Sequence, residues 1–117
     1  MEETFYAYVA GMLDADGHIG EGRNKYKVTI ANNHRPMLEH IQFHLGGNIV
    51  ADERINKKIT YQLCFRIHEQ IELLPKIIPY LIVKKEKAIN RLKYLQSNNN
   101  YRQRNMRDYR DQMKLPL

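Results

Sequence analysis

The chain has little cysteine: Cys64 is its only one in 117 residues. That excludes an internal disulfide and a cysteine-based zinc site, and it fits a reducing compartment. There is no basic leader followed by an apolar core, and no apolar run approaches the ~18 residues needed to span a bilayer. Neither secretion nor membrane spanning is expected, so the expected location is intracellular, in a bacterial or phage cytoplasm or in an organelle. Residues 1–17 contain no Lys or Arg. Nothing further along repeats the opening stretch.

What is present is mostly basic. The net charge is +6 and the pI about 9.5. Because residues 1–17 carry Glu2, Glu3, Asp14 and Asp16 and no base, the remainder carries +10. A basic body predicts a polyanionic partner. A local acidic cluster within it suits metal-dependent work on nucleic acid, with acids holding cations and bases holding phosphates. At this length, with 43% hydrophobic residues, one domain with a real core is expected.

The opening stretch sets the frame. Thr4 to Leu13 reads as a short helix that stops near Asp14–Gly17, with Gly17 supplying the backbone freedom to leave it. Ala7, Gly11 and Ala15 are spaced by four and form a small-residue face that lets a second backbone come close. Asp14 and Asp16 sit at the negative end of the helix dipole, where acids need compensation, and a divalent cation is one source of it. A calcium loop fails: with Asp14 as its first ligand, the sixth position is Ile19 and the twelfth Lys25. An amphipathic helix followed by an ordinary Asp-Gly turn is the plain alternative.

The rest alternates between sheet and helix patterns. His18–Gly22 and Tyr26–Ala31 read as strands, with Tyr26, Val28 and Ile30 facing the core and Lys25, Lys27 and Thr29 facing away. Pro36 starts a helix with Met37, Leu38, Ile41 and Leu45 as its stripe, and Gly46-Gly47 ends it. His40 and His44 are four apart on that helix, a spacing that can chelate zinc; with no third ligand evident they read as solvated or partly buried. Asn48–Glu53 and Ile59–Ile67 make a second strand pair. In the latter, Tyr61, Leu63, Phe65 and Ile67 face inward, while Thr60, Gln62, Cys64 and Arg66 face away. Glu69–Ile78 returns to helix, with Ile71, Leu74 and Ile78 on one face and Pro75 and Pro79 as breakers. Another helix runs from about Lys84 to Gln96 with Ala88, Leu92 and Leu95 aligned. Residues 98–117 form a basic tail.

Val9-Ala10-Gly11-Met12-Leu13-Asp14-Ala15-Asp16-Gly17 closely resembles the motif that names the LAGLIDADG homing endonucleases. Ala10, Gly11, Asp14, Ala15, Asp16 and Gly17 are identities, and Val9, Met12 and Leu13 are apolar replacements. Pro79-Tyr80-Leu81-Ile82-Val83-Lys84-Lys85-Glu86-Lys87-Ala88 is similar to the family segment that carries its active-site lysine. The resemblance implies an α+β fold: an α-β-β-α-β-β-α core over residues 1–97, a four-stranded antiparallel DNA-binding saddle, and C-terminal helices. It implies an intron-encoded, site-specific double-strand DNA endonuclease. With a single motif, the chain is expected to act as a homodimer through Ala7, Gly11 and Ala15, on a palindromic or near-palindromic site.

The resemblance assigns catalysis to Asp16 and Lys84. It assigns Mg²⁺, or another divalent cation, to Asp16 and the Ala15 backbone carbonyl, with Asp14 in support. Asn32, His34 and Arg35 fall where the family places polar residues around the catalytic water. In such a protein the outward sheet positions read DNA, giving Arg23, Lys25, Lys27, Thr29, Arg54, Lys57, Lys58, Thr60, Gln62 and Arg66 as contacts. The same fold also serves as an intron maturase, for which intron RNA would be a partner, or as a noncatalytic DNA-binding regulator.

Overall fold

In a computed structural model that describes residues 2–20, 27–53 and 58–97, the opening helix α1 spans Glu2–Asp16. It is longer at both ends than the sequence pattern predicts. Glu2 and Glu3 in its first turn favour the N-terminal extension through the dipole. At the other end, what takes the chain out of the helix is not a left-handed glycine. Among the described glycines only Gly46 and Gly47 have positive φ. Gly17 is needed for space instead: a Cβ there would run into the Leu13 side chain and come within 2.6 Å of the Leu13 carbonyl oxygen.

Strands β1 (Gly17–Ile19), β2 (Val28–Asn32), β3 (Asn48–Asp52) and β4 (Thr60–Cys64) form one antiparallel sheet in the order β1-β2-β4-β3. Helix α2 (Arg35–Leu45) lies between the two strand pairs in sequence, with Pro36 in its first turn as expected. Helix α3 (Ile67–Ile77), a 3₁₀ turn (Ile78–Tyr80) and helix α4 (Lys85–Ser97) follow. The fold is α+β, in the predicted element order. Residues 98–117 lie outside the described residues, as do residues 21–26 and 54–57.

The buried side chains come from every layer. Val9, Ala10 and Leu13 of α1 meet Ile19, Val28, Ile30, Leu63 and Phe65 from the sheet region, with Leu38, Ile41, Leu73, Leu74, Ile77, Leu81, Ala88 and Leu95 closing the cluster. The inward faces of β2 and β4 are therefore the alternating positions that the sequence assigns. Two expectations fail at the ends of elements. Strand β4 stops at Cys64, so Arg66 precedes α3 and Ile67 begins it. Cys64 keeps to the outward side of β4 as expected, opposite Thr29 on β2 and Asn48 on β3, and is nonetheless only 9% exposed there. Pro75 does not break α3, because it occupies an exposed position in the last turn, where only one backbone hydrogen bond is forfeited.

The buried face of α3 is also displaced from the predicted one. It consists of Gln70, Leu73, Leu74 and Ile77, while Ile71 and Ile78 are half-buried. Buried Gln70 donates from Nε2 to the Phe65 carbonyl at 2.8 Å, and its Oε1 accepts from Nε of buried Arg91 on α4 at 2.9 Å. Arg91 lies where the pattern places Leu92, which is half-buried. Burial lowers the Arg91 pKa, against a smaller raising effect of Tyr94. No helix among the described residues is long and apolar enough to cross a membrane.

Candidate functional site

The C-terminal end of α1 meets the N-terminal end of α4, and each supplies what the other needs. Asp14 turns its carboxylate towards the start of α4, accepting from the backbone N–H of Ile82 at 2.8 Å and of Lys84 at 2.9 Å. An acid that is misplaced at a helix C-terminus is thus well placed at a helix N-terminus. Lys84, which the dipole would not favour at the start of α4, extends its ammonium to the Asp14 backbone carbonyl at 2.7 Å. There it satisfies an orphan carbonyl at the negative end of α1. Desolvation acts to raise the Asp14 pKa, but the backbone N–H groups of Ile82, Lys84 and Val83, with the Lys84 charge, prevail and hold it below 3.8.

Asp16 is treated differently. It is exposed, and its Oδ2 stands 3.5 Å from Nδ2 of Asn32 at the end of β2. Asn32 is itself held, because its Oδ1 accepts from the backbone N–H of His34 at 2.8 Å. The register of β1 on β2, with Gly17 opposite Ile30, carries the end of α1 alongside the end of β2 and creates this contact. Ala15 is exposed beside Asp16. Arg35 is directed elsewhere: its Nε lies 3.2 Å from Oε2 of Glu39, and its guanidinium sits 5.2 Å from the Tyr61 ring centroid. His34 is exposed.

The outward side of the sheet can be read from its register. Thr29 lies opposite His18 on one side and Cys64 on the other, and Cys64 lies opposite Asn48. Gln62 lies between Ala31 and Val50, and Thr60 faces Asp52. Thr29, Thr60 and Gln62 therefore share one face, as expected, and His18, Asn48 and Val50 join them. Sequence reasoning missed those three, although the alternation Asn48, Val50, Asp52 against Ile49, Ala51 was there to read. Lys58 and Arg66 are exposed at the margins of β4, and half-buried Lys27 lies over Gly20. Arg23, Lys25, Arg54 and Lys57 lie outside the described residues.

Ala7, Gly11 and Ala15 are all exposed along α1, with Tyr8 beside them at 43% exposure. A Cβ added at Gly11 would have no neighbour within 4 Å. Among the described residues nothing requires glycine at that position.

Residues 4–107 match the family profile described as LAGLIDADG-like domain, a span that runs past residue 97 into the predicted tail. Among solved structures, the chain is similar to the homing endonuclease I-CvuI in complex with its target in the presence of 2 mM Ca. The TM-score is 0.63 at 24% identity, covering 86% of this chain and 71% of that one. I-CvuI in complex with the I-CreI target in 2 mM Mg, where the DNA is not cleaved, gives a TM-score of 0.60 at 24% identity over 81% and 68%. An archaeal intron-encoded homing endonuclease, I-Vdi141I, complexed with DNA, gives 0.64 at 22% identity over 86% and 72%. Likeness at these identities establishes the shared fold. A search of curated protein sequences returns no match.

Proposed function

The chain belongs to the LAGLIDADG-like domain family, and from that membership we propose a site-specific double-strand DNA endonuclease that uses divalent metal and works as a homodimer. The observation that carries the reading is the division of labour between two neighbouring acids. Asp14 is consumed by backbone N–H groups, while Asp16 stays exposed and, among the described residues, has only a long amide contact. An exposed carboxylate two residues on from the carbonyl that anchors a lysine, at the end of a helix, is available for chemistry.

The residues fit Mg²⁺. That ion prefers oxygen ligands, keeps several waters, and is commonly held by one or two carboxylates together with a substrate phosphate. Asp16 and the Ala15 carbonyl are such donors, and the last-turn carbonyls of α1 have no helical N–H four residues ahead. Among the described residues no cluster of three or more His, Cys, Asp or Glu could hold a metal. One chain thus offers a partial donor set, to be completed by a second copy and by DNA. When bound, the metal supplies Lewis-acid activation of water and neutralises charge on the phosphate.

The protein's own groups have separate tasks. Asp16 holds the cation, and Asn32 fixes the orientation of the Asp16 carboxylate. Lys84, anchored on the Asp14 carbonyl, brings positive charge to the place where negative charge builds during phosphodiester cleavage. Thr29, Thr60 and Gln62 face the groove for base readout, and Lys58 and Arg66 serve phosphates at the rim.

Dimerisation through α1 explains Gly11. Glycine within a helix costs about 0.5–1 kcal/mol relative to alanine. Here no contact among the described residues justifies that cost, so the small side of Ala7, Gly11 and Ala15 fits the close approach of a second α1. Two identical subunits about a two-fold axis would read a palindromic or near-palindromic site. We assign this core to residues 1–97.

Incubating the protein with Mg²⁺ and a library of randomised DNA duplexes tests the function. Recovery of a defined set of double-strand ends is expected. Retention of DNA with no cleavage under any divalent cation would contradict the enzyme and favour a binding protein on the same fold.

A further inference from the structure

His40 and His44 stand one turn apart on α2, and both are exposed. Their ring centroids are 5.0 Å apart, with the planes at 75°. Phe5 of α1 packs edgewise on both rings, at 6.0 Å from His40 and 5.0 Å from His44, and Phe43 lies 5.1 Å from His44. Within the described residues, neither histidine side chain makes a hydrogen bond or an ion pair; the rings have ring contacts alone. The rings are therefore held by aromatic contacts while their nitrogens remain unclaimed.

The spacing, ordinary for an edge-to-face ring contact, is also that of a chelate. With metal–nitrogen bonds of about 2.1 Å and a near-tetrahedral angle, two imidazoles on one ion place their centroids about 5 Å apart. We propose that His40 and His44 form a two-histidine site for a divalent ion of the zinc, nickel or copper class, with water in the remaining positions. Neutral imidazole nitrogen suits those ions, whereas Mg²⁺ takes hard oxygen donors. The nearest acid on the same helix, Glu39, is engaged by Arg35. No cluster of three ligating side chains forms among the described residues. The site is accordingly open and exchangeable, unlike a closed structural zinc site.

The site differs from the Asp16 end of α1 in both place and chemistry, so the two would bind different classes of metal at once. An ion joining positions i and i+4 staples a turn of α2. It also fixes the two rings on which Phe5 rests, so binding stabilises the folded chain.

The test is a calorimetric titration of the full, untagged, metal-free chain with Ni²⁺ and with Zn²⁺, in a buffer holding Mg²⁺ in large excess. Saturable binding of one ion per chain is expected, with a rise in melting temperature. His40→Asn and His44→Asn should each weaken binding by more than about tenfold, through loss of one of two ligands. Both positions are exposed, and the melting temperatures of the variants without metal verify that they fold. Asp16→Asn should bind Ni²⁺ as the wild type does. No saturable binding, binding of undiminished strength in both histidine variants, or binding lost in Asp16→Asn would overturn the proposal. None of these readouts depends on DNA cleavage, so failure here is distinct from failure of the endonuclease reading.

Discussion

Asp14 and Asp16 are the same side chain two positions apart, and their surroundings give them opposite fates. Replacing Asp14 with Asn removes a charged acceptor from two backbone N–H groups, which should cost about 1–3 kcal/mol by urea unfolding at pH 7. Its pKa in the fold lies below 3.8, so the carboxylate's contribution is complete above that value and is lost as pH falls through the lower, folded one. Acid unfolding of Asp14→Asn should lack that component, and an unchanged acid limb would refute the assignment. Gly17→Ala should destabilise by at least about 2 kcal/mol, because a methyl group there meets the Leu13 carbonyl at 2.6 Å, and backbone yields less readily than a side chain. A Gly17→Ala variant as stable as the wild type would show that the close approach is not constraining. At this scale the need for glycine after Asp16 was legible in the sequence, but its reason was not, since an Asp-Gly turn and a close contact look alike in one dimension. The pairing of Lys84 with Asp14 crosses 70 residues, and local pattern carries no information about it.

The elements are joined by polar clasps as well as by the core. Glu69 on α3 accepts from the Arg66 N–H at 2.8 Å, capping its own helix, and from the Gly47 N–H at 2.8 Å, holding the turn between α2 and β3. Gln42 adds a 3.1 Å bond to the Gly47 carbonyl. Glu69→Ala should cost about 2–3 kcal/mol in thermal unfolding, for two lost bonds to a charged acceptor. It should also speed amide exchange at Gly47 more than at Ile30, in the middle of β2; uniform acceleration would point to global loosening instead. Element order and the inward faces of β2 and β4 were readable because hydrophobic alternation is a local signal. The buried faces of α3 and α4 were misplaced because Gln70 and Arg91 are polar by type, and hydrogen bonds formed only in the fold, to each other and from Gln70 to the Phe65 carbonyl, suit them to the interior. Pro75 and the end of β4 misled for a related reason: position within an element, and not residue type, decides what a proline or an arginine does there.

For the whole molecule, the small side of α1 and the basic charge are the features on which the proposed dimer and DNA contacts rest. Gly11→Leu should leave the monomer folded, since position 11 is exposed and a Cβ there has no neighbour within 4 Å among the described residues, yet convert a dimer to a monomer in sedimentation and abolish double-strand cleavage. A Gly11→Leu protein that still sediments as a dimer would place the seam elsewhere. The metal-ligand role proposed for Asp16 rests on the motif that surrounds it; composition gave no more than an acidic patch in a basic chain. The decisive measurement is therefore made on that residue, using a DNA site recovered from the cleavage library. Cleavage rate in Mg²⁺ and DNA affinity in Ca²⁺ are compared between the wild type and Asp16→Asn. A fall in rate of at least about 10²–10³-fold with affinity retained is the result expected of a group that acts in the transition state. Cleavage by Asp16→Asn at the wild-type rate would contradict the account.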